Sequence, residues 1–190
     1  MENKQTDLLS LYPEELSELI ISLGEPKYRA GQIFPALHKG LVPSRMTNIS
    51  KATAEKLEAM MPSRMPEIEQ KLVSKVDGTV KYLFRLHDGE CIESVVMRYN
   101  HGNTICVSSQ VGCRMGCAFC ASTLEGCVRS LTPGEMLGEV LCANRYIVEK
   151  GLPLEDGQSP RVHNLVLMGS GEPLDNYDNV MKFLRLLREP

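Results

Sequence analysis

The chain has 190 residues, 43% of them apolar, with a formal net charge of −3; that is material for one ordinary domain, or one domain with a small appendage. The charge excludes the strongly basic character by which many nucleic-acid-binding domains announce themselves. The opening MENKQTDLLSLYPEEL has no basic region leading into an apolar run, and no stretch approaches the ~18–20 apolar residues of a membrane helix, so a cytoplasmic protein away from the membrane is expected.

Residues 1–67 read as a small helical domain. YPEELSELIISLG places Pro13 in a first turn, follows it with acidic residues and stops at Gly24; Leu16, Leu19, Ile20 and Leu23 recur at helical spacing. KYRAGQIFPALHKG repeats the pattern up to Gly40, with Pro35 expected to kink or shorten the helix. SKATAEKLEAMM opens on Ser50 as a cap and closes before Pro62. Such short helices must pack together to persist.

From residue 68 the period changes. QKLVSKV, TVKYLFRL, ECIESVVMRY and NTICVSSQ are separated by DG, HDG and NHG, which are hairpin signals between β-rich runs. Four antiparallel strands are expected, or three followed by a strand that enters another sheet. Beyond the cysteine-rich segment, LTPGEMLGEVLCANRYIVEKG reads as a helix with Thr132 as cap, Pro133 at its first position, Glu135 completing a capping box and Gly151 as stop. EKGLPLEDGQSP is a polar, turn-rich connection. RVHNLVLMG reads as a buried strand and DNVMKFLRLLRE as an amphipathic helix that stops without continuation, as an incomplete chain would. Strand 103–109, loop, helix, strand, loop, helix is the pattern of parallel βα units.

CVSSQVGCRMGCAFCAS, from Cys106 to Ser122, concentrates four of the seven cysteines. In a reducing compartment, clustered thiols point to metal ligation or reactivity rather than disulfides. Cys113, Cys117 and Cys120 form C-x₃-C-x₂-C on one loop. Three thiolates there suit three irons of a 4Fe-4S cluster and leave the fourth iron open to a small molecule. A zinc site completed by His101 or Cys106, a closed electron-transfer cluster with a ligand elsewhere, and unrelated buried thiols are the alternatives. Residues 71–130 carry seven basic and five acidic side chains, a balance of +2, so the segment lies in the least acidic part of the chain.

CRMGCAFC, with an aromatic before its last cysteine, resembles the signature of radical S-adenosylmethionine enzymes. The wider block CVSSQVGCRMGCAFCASTLEGCVRSLTPGEM resembles more narrowly the RlmN/Cfr family of RNA adenine methyltransferases. LVLMGSGEPLDNYDNV and YRAGQIFPALHKG are similar to that family's second motif and accessory domain. The resemblance implies an α/β fold: residues 1–67 as a helical accessory domain, then 68–190 as a β extension and the first βα units of a partial (β/α) barrel. It implies that Cys113, Cys117 and Cys120 hold a 4Fe-4S cluster whose open iron chelates S-adenosylmethionine. Electron transfer then cleaves that cofactor to a 5′-deoxyadenosyl radical.

Gly171 and Glu172 in GSGEP would bind S-adenosylmethionine; taken alone they are an ordinary turn with an exposed carboxylate. Glu93 would be the proton acceptor, thirteen residues before Cys106, although on pattern alone it is an outward-facing strand carboxylate. Cys106, alone a small core residue, would resolve a protein–RNA adduct by disulfide formation with a methyl-carrying cysteine far downstream. Cys91, Cys127 and Cys142 do not match that position, so methylation by these 190 residues alone is not expected. The implied substrates are 23S ribosomal RNA and transfer RNA, methylated at carbon-2 of adenine; the implied electron donor is a reductant such as flavodoxin, and the implied state a monomer. A radical enzyme acting on another substrate and a non-catalytic zinc or iron–sulfur module are the competing readings.

Overall fold

The computed structural model describes residues 7–150 and 160–189. The turn-rich connection and the stop at Gly151 lie outside the described residues, apart from the connection's ends. Three helices open the chain: α1 (Pro13–Ser22), α2 (Tyr28–Leu37) and α3 (Lys51–Met60). The Glu15 carboxylate accepts from the Tyr12 N–H at 2.7 Å, and the Ser50 hydroxyl accepts from the Thr53 N–H at 3.0 Å, so two orphan donors at helix starts are satisfied. Pro35 lies inside α2. It falls in the last turn, where its missing N–H removes one bond, to the Gly31 carbonyl, and the helix continues to Leu37.

Strands β1 (Glu67–Val73), β2 (Val80–Arg85), β3 (Cys91–Tyr99) and β4 (Gly102–Cys106) pair antiparallel in succession. β4 also pairs in parallel with β7 (Val162–Val166). Of the two arrangements expected from sequence, the four antiparallel strands are present; β4 does not enter another sheet, and β7 instead joins the same five-stranded sheet of order β1-β2-β3-β4-β7. The expected strand 103–109 ends its ladder at Cys106. A separate hairpin follows, β5 (Gln110–Gly112) with β6 (Cys127–Ser130), where sequence suggested only a loop. Its register shifts between Val111 and Gly112, and strands this short carry little periodic signal. β7 is half-buried along its length rather than fully buried, since β4 is its sole partner among the described strands.

Between hairpin and β7 runs α4 (Pro133–Glu149), and α5 (Tyr177–Leu186) follows β7. The Thr132 capping box is complete: its hydroxyl accepts from the Glu135 N–H and the Glu135 carboxylate accepts from the Thr132 N–H. The chain is thus mixed α/β, with a β4-α4-β7-α5 succession.

Alternation sorts the sheet. Tyr82, Phe84, Ile92, Ser94, Val96 and Ile105 are buried, and Tyr82 and Ser94 reach α4 at Tyr146 and Glu139. The opposite face of β2 and β3 carries Lys81, Arg85 and Glu93. The helical segment joins the same continuous core through Leu8, Leu9, Leu16 and Ile20. Polar ties reinforce that joint: Asp7 accepts from the Thr132 hydroxyl at 3.0 Å, and Lys182 of α5 pairs with Glu15 of α1 at 2.7 Å.

Candidate functional site

β4 and β7 run in parallel, so the segments leaving their carboxyl ends emerge side by side. That edge is where barrel folds assemble their sites. Beyond Cys106 the two segments are zipped together. The Val107 N–H donates to Val166 O (3.0 Å), Gly169 N–H to Val107 O (3.1 Å) and Ser109 N–H to Ser170 O (2.8 Å).

The loop after β7 carries Gly171 and Glu172. Gly171 has φ +104°, and a Cβ there would stand 2.6 Å from the Gln110 Cβ; glycine is required on both counts. The Glu172 N–H donates to the Gln110 Oε1 at 3.0 Å. Its carboxylate accepts from the Leu174 N–H at 3.0 Å, capping a short 3-10 turn, Pro173–Asn176. Gln110 also donates from Nε2 to Asp175 (2.9 Å), and Arg114 pairs with the same carboxylate. The Arg114 hydrogen bond, and then the Gln110 bond, hold Asp175 below the usual carboxylate range. Asn176 donates to the carbonyls of Ser109 and Leu131 at 2.8 and 2.9 Å. The loop after β7 is therefore bound to the hairpin that supports the cysteine loop.

That hairpin pairs Gly112 with Cys127, and the Cys113 N–H donates to Gly126 O at 2.9 Å. Gly112 has φ +73°, and a Cβ there would overlap the Gly126 carbonyl. From this base residues 114–119 project into solvent, Phe119 being 94% exposed. Cys113 is buried, Cys120 half-buried and Cys117 exposed, and all seven cysteines are free thiols. Among the described residues no three His, Cys, Asp or Glu side chains form a group able to hold a metal ion. The donor chemistry nevertheless suits iron–sulfur ligation. The loop offers three soft thiols, contains no histidine and stands on a hairpin tight enough to demand glycine.

Glu93 and Cys106 share one face of the sheet. Cys106 opposes Val95, two residues along β3 from Glu93. The Glu93 carboxylate is paired with Lys81 at 2.8 Å and is about half exposed. Cys106 is half-buried; burial pushes its thiol pKa up, opposed in part by a hydrogen bond from the Met168 backbone.

Sequence reasoning missed Ser108, Gln110, Glu139, Asp175 and Asn176. A signal was available for the first two: a strand-like run ends in Ser108, Ser109 and Gln110, and all three are buried. Three successive buried polar residues must find partners, and they find them in the 170–176 loop. Glu139 shows as an acidic residue one turn after Glu135 on the apolar face of α4, where it is fully buried. Asp175 and Asn176 carry no such mark.

A family model described as the ribosomal RNA large subunit methyltransferase N-terminal domain matches residues 6–62. A probable dual-specificity RNA methyltransferase RlmN from Clostridium novyi is 49% identical over 185 residues, covering 96% of this chain and 51% of the relative. One from Clostridium perfringens is 51% identical over 183 residues, covering 95% and 50%. The crystal structure of a radical SAM methyltransferase from Sphaerobacter thermophilus superposes with a TM-score of 0.87 at 37% identity, covering 97% of this chain and 52% of that one. The chain spans about half the length of the curated relatives it matches. Among the described residues no helix is long and apolar enough to cross a membrane.

Proposed function

We propose that the chain, which spans about half the length of the RlmN relatives it matches, is the cluster- and cofactor-binding half of a radical S-adenosylmethionine enzyme that methylates carbon-2 of adenine in 23S ribosomal RNA and transfer RNA. On this reading residues 1–67 are the accessory domain and 68–190 the β extension and opening barrel units. Cys113, Cys117 and Cys120 hold a 4Fe-4S cluster, and Gly171 and Glu172 receive S-adenosylmethionine. When bound, the cluster supplies the electron that generates a radical from the cofactor, chemistry suited to an aromatic carbon too poor a nucleophile for polar methyl transfer.

The chain's own residues have separable tasks. Gly171 lets the backbone approach closely, and Glu172 offers a carboxylate to the cofactor's ammonium. Gln110 and Asn176 keep that loop against the base of the cysteine loop. Glu93, held by Lys81, accepts the proton leaving the methylated ring carbon, and Cys106 on the same face resolves the covalent adduct. The same reading takes a flavodoxin-type reductant, a monomeric state and a cytoplasmic setting.

The observation that carries it is the joining of two motifs: the segments leading to the three-cysteine loop and to the GSGEP loop leave adjacent parallel strands, and Gln110, at the start of the hairpin beneath the cysteines, hydrogen-bonds the second loop. Anaerobic reconstitution of the chain with iron and sulfide tests it. The expected product is brown and changes its spectrum when S-adenosylmethionine is added. Replacing any one of Cys113, Cys117 or Cys120 with Ala abolishes the colour, and Cys127→Ala leaves it. A colourless, zinc-loaded protein, or a cluster indifferent to the cofactor, overturns the proposal.

A further inference from the structure

Glu139 lies on the face of α4 beneath the sheet and is completely buried. Its Oε2 accepts from the Ser94 hydroxyl and, at 3.1 Å, from the Ser108 N–H. Its Oε1 has no partner among the described residues. A buried carboxylate normally answers a cation or several donors. Here both donors are neutral, and the titratable groups that act on it among the described residues are themselves acids: Glu135 one turn back on α4, the Cys142 thiol one turn on, and the Cys106 thiol at the end of β4. Burial outweighs the two hydrogen bonds, with Glu135 adding to it, and the carboxyl is pushed well above its ordinary range. The contact with Ser94 survives protonation, because hydroxyl and carboxyl can each donate to the other.

The two partners are well placed. Ser94 follows Glu93 directly. Ser108 lies two residues beyond Cys106, donates from its hydroxyl to the Glu93 carbonyl at 2.7 Å and accepts from the Ser170 N–H at 2.9 Å. One buried carboxyl thus grips the residue that ties β3 at Glu93 to the loop entering Gly171. The geometry points to Glu139 as a positioning residue: acting through Ser94 and Ser108, it sets the spacing between Glu93, Cys106 and the Ser170–Glu172 loop. The inference rests on the reading of those residues as the site, and it assigns the neutral acid as the working form, because ionisation would place an unpaired charge against two thiols and a second carboxyl.

Glu139→Gln separates this from a space-filling role, since an amide oxygen in the place of Oε2 can accept from both the Ser94 hydroxyl and the Ser108 N–H and never ionise. Two signals are followed by mass spectrometry on the chain without added cluster: Cys106 alkylation by iodoacetamide, and hydrogen exchange at Ser170. Each is corrected for its intrinsic dependence on hydroxide. In the wild type both rise further as Glu139 ionises with increasing pH; in E139Q that additional rise disappears while rates on the acid side of it stay at wild-type values. Ser108→Ala, which cuts the bridge but leaves Glu139, raises both signals roughly tenfold, the scale of one lost hydrogen bond. E139Q retaining the wild-type pH dependence, or S108A leaving both signals unmoved, overturns the inference. Neither signal involves iron or S-adenosylmethionine, so failure of reconstitution would count against the proposed function alone.

Discussion

At Gly171 a single missing methyl group decides whether the loop after β7 can close. Its φ of +104° is one that L side chains rarely adopt, and Gln110 and Ser109 fill the space a Cβ would need. Gly171→Ala is expected to destabilise the fold by about 1–3 kcal/mol, read as a lower urea midpoint, and to suppress the spectral response of the reconstituted cluster to S-adenosylmethionine. Glu93 is legible as an outward strand carboxylate from the alternation of ECIESVVM, and its exposure agrees with that reading. Its ion pair with Lys81 is not legible, because cross-strand neighbours depend on register, and a slip of one residue would send every side chain to the other face.

Helix starts were the most legible elements, because caps are local. The Thr132 capping box spans four residues, and each group it satisfies lies within that span. The same threonine also donates to Asp7, 125 residues away. Thr132→Ala is expected to cost about 1–2 kcal/mol from the lost cap alone, and more in calorimetry because the Asp7 carboxylate loses a donor. The β5-β6 hairpin was illegible for the opposite reason: it has only three and four residues per strand, a register shift and fourteen intervening residues. What seats it is Asn176, whose amide bridges Ser109 and Leu131. Asn176→Ala takes a donor from the Leu131 carbonyl and one from the Ser109 carbonyl, which keeps the Leu131 N–H, at an expected cost of about 1–3 kcal/mol. Loss of amide protection should then begin at residues 109–112 and 127–131.

Across the whole molecule, acid–base behaviour follows where carboxyls are buried. Asp7, at the joint between the helical segment and α4, is pushed up by burial against the Ser10 and Thr132 hydrogen bonds, with Glu135 adding to the rise. An unfolded carboxyl titrates near pH ~4. Between that value and its own raised one, folded Asp7 keeps a proton the unfolded chain has released. Its stabilising share is therefore complete below about pH 4 and is lost as pH rises. Asp7→Asn is accordingly expected to gain stability relative to wild type as pH increases, measured as the difference in urea midpoints across a pH series. Asp88 runs the other way. Burial would raise it, but the Arg129 hydrogen bond and charge prevail and hold it low, so its contribution is present above about pH 4 and disappears as pH falls.

The residues by themselves determined what depends on short range: helices from their apolar spacing and caps, strands from alternation between Gly-containing turns, and three thiols brought together by spacing on one loop. Those features rest on hydrogen bonds and burial patterns that close within a few positions. Only the tertiary structure decided that β4 serves both an antiparallel and a parallel neighbour, that Gln110 meets Asp175 across 65 positions, and that Glu139 lies beneath Ser94 and Ser108. Such pairings are chosen when sheet register and helix packing together leave a buried polar atom one available partner, and that choice exists only once the distant segments have met.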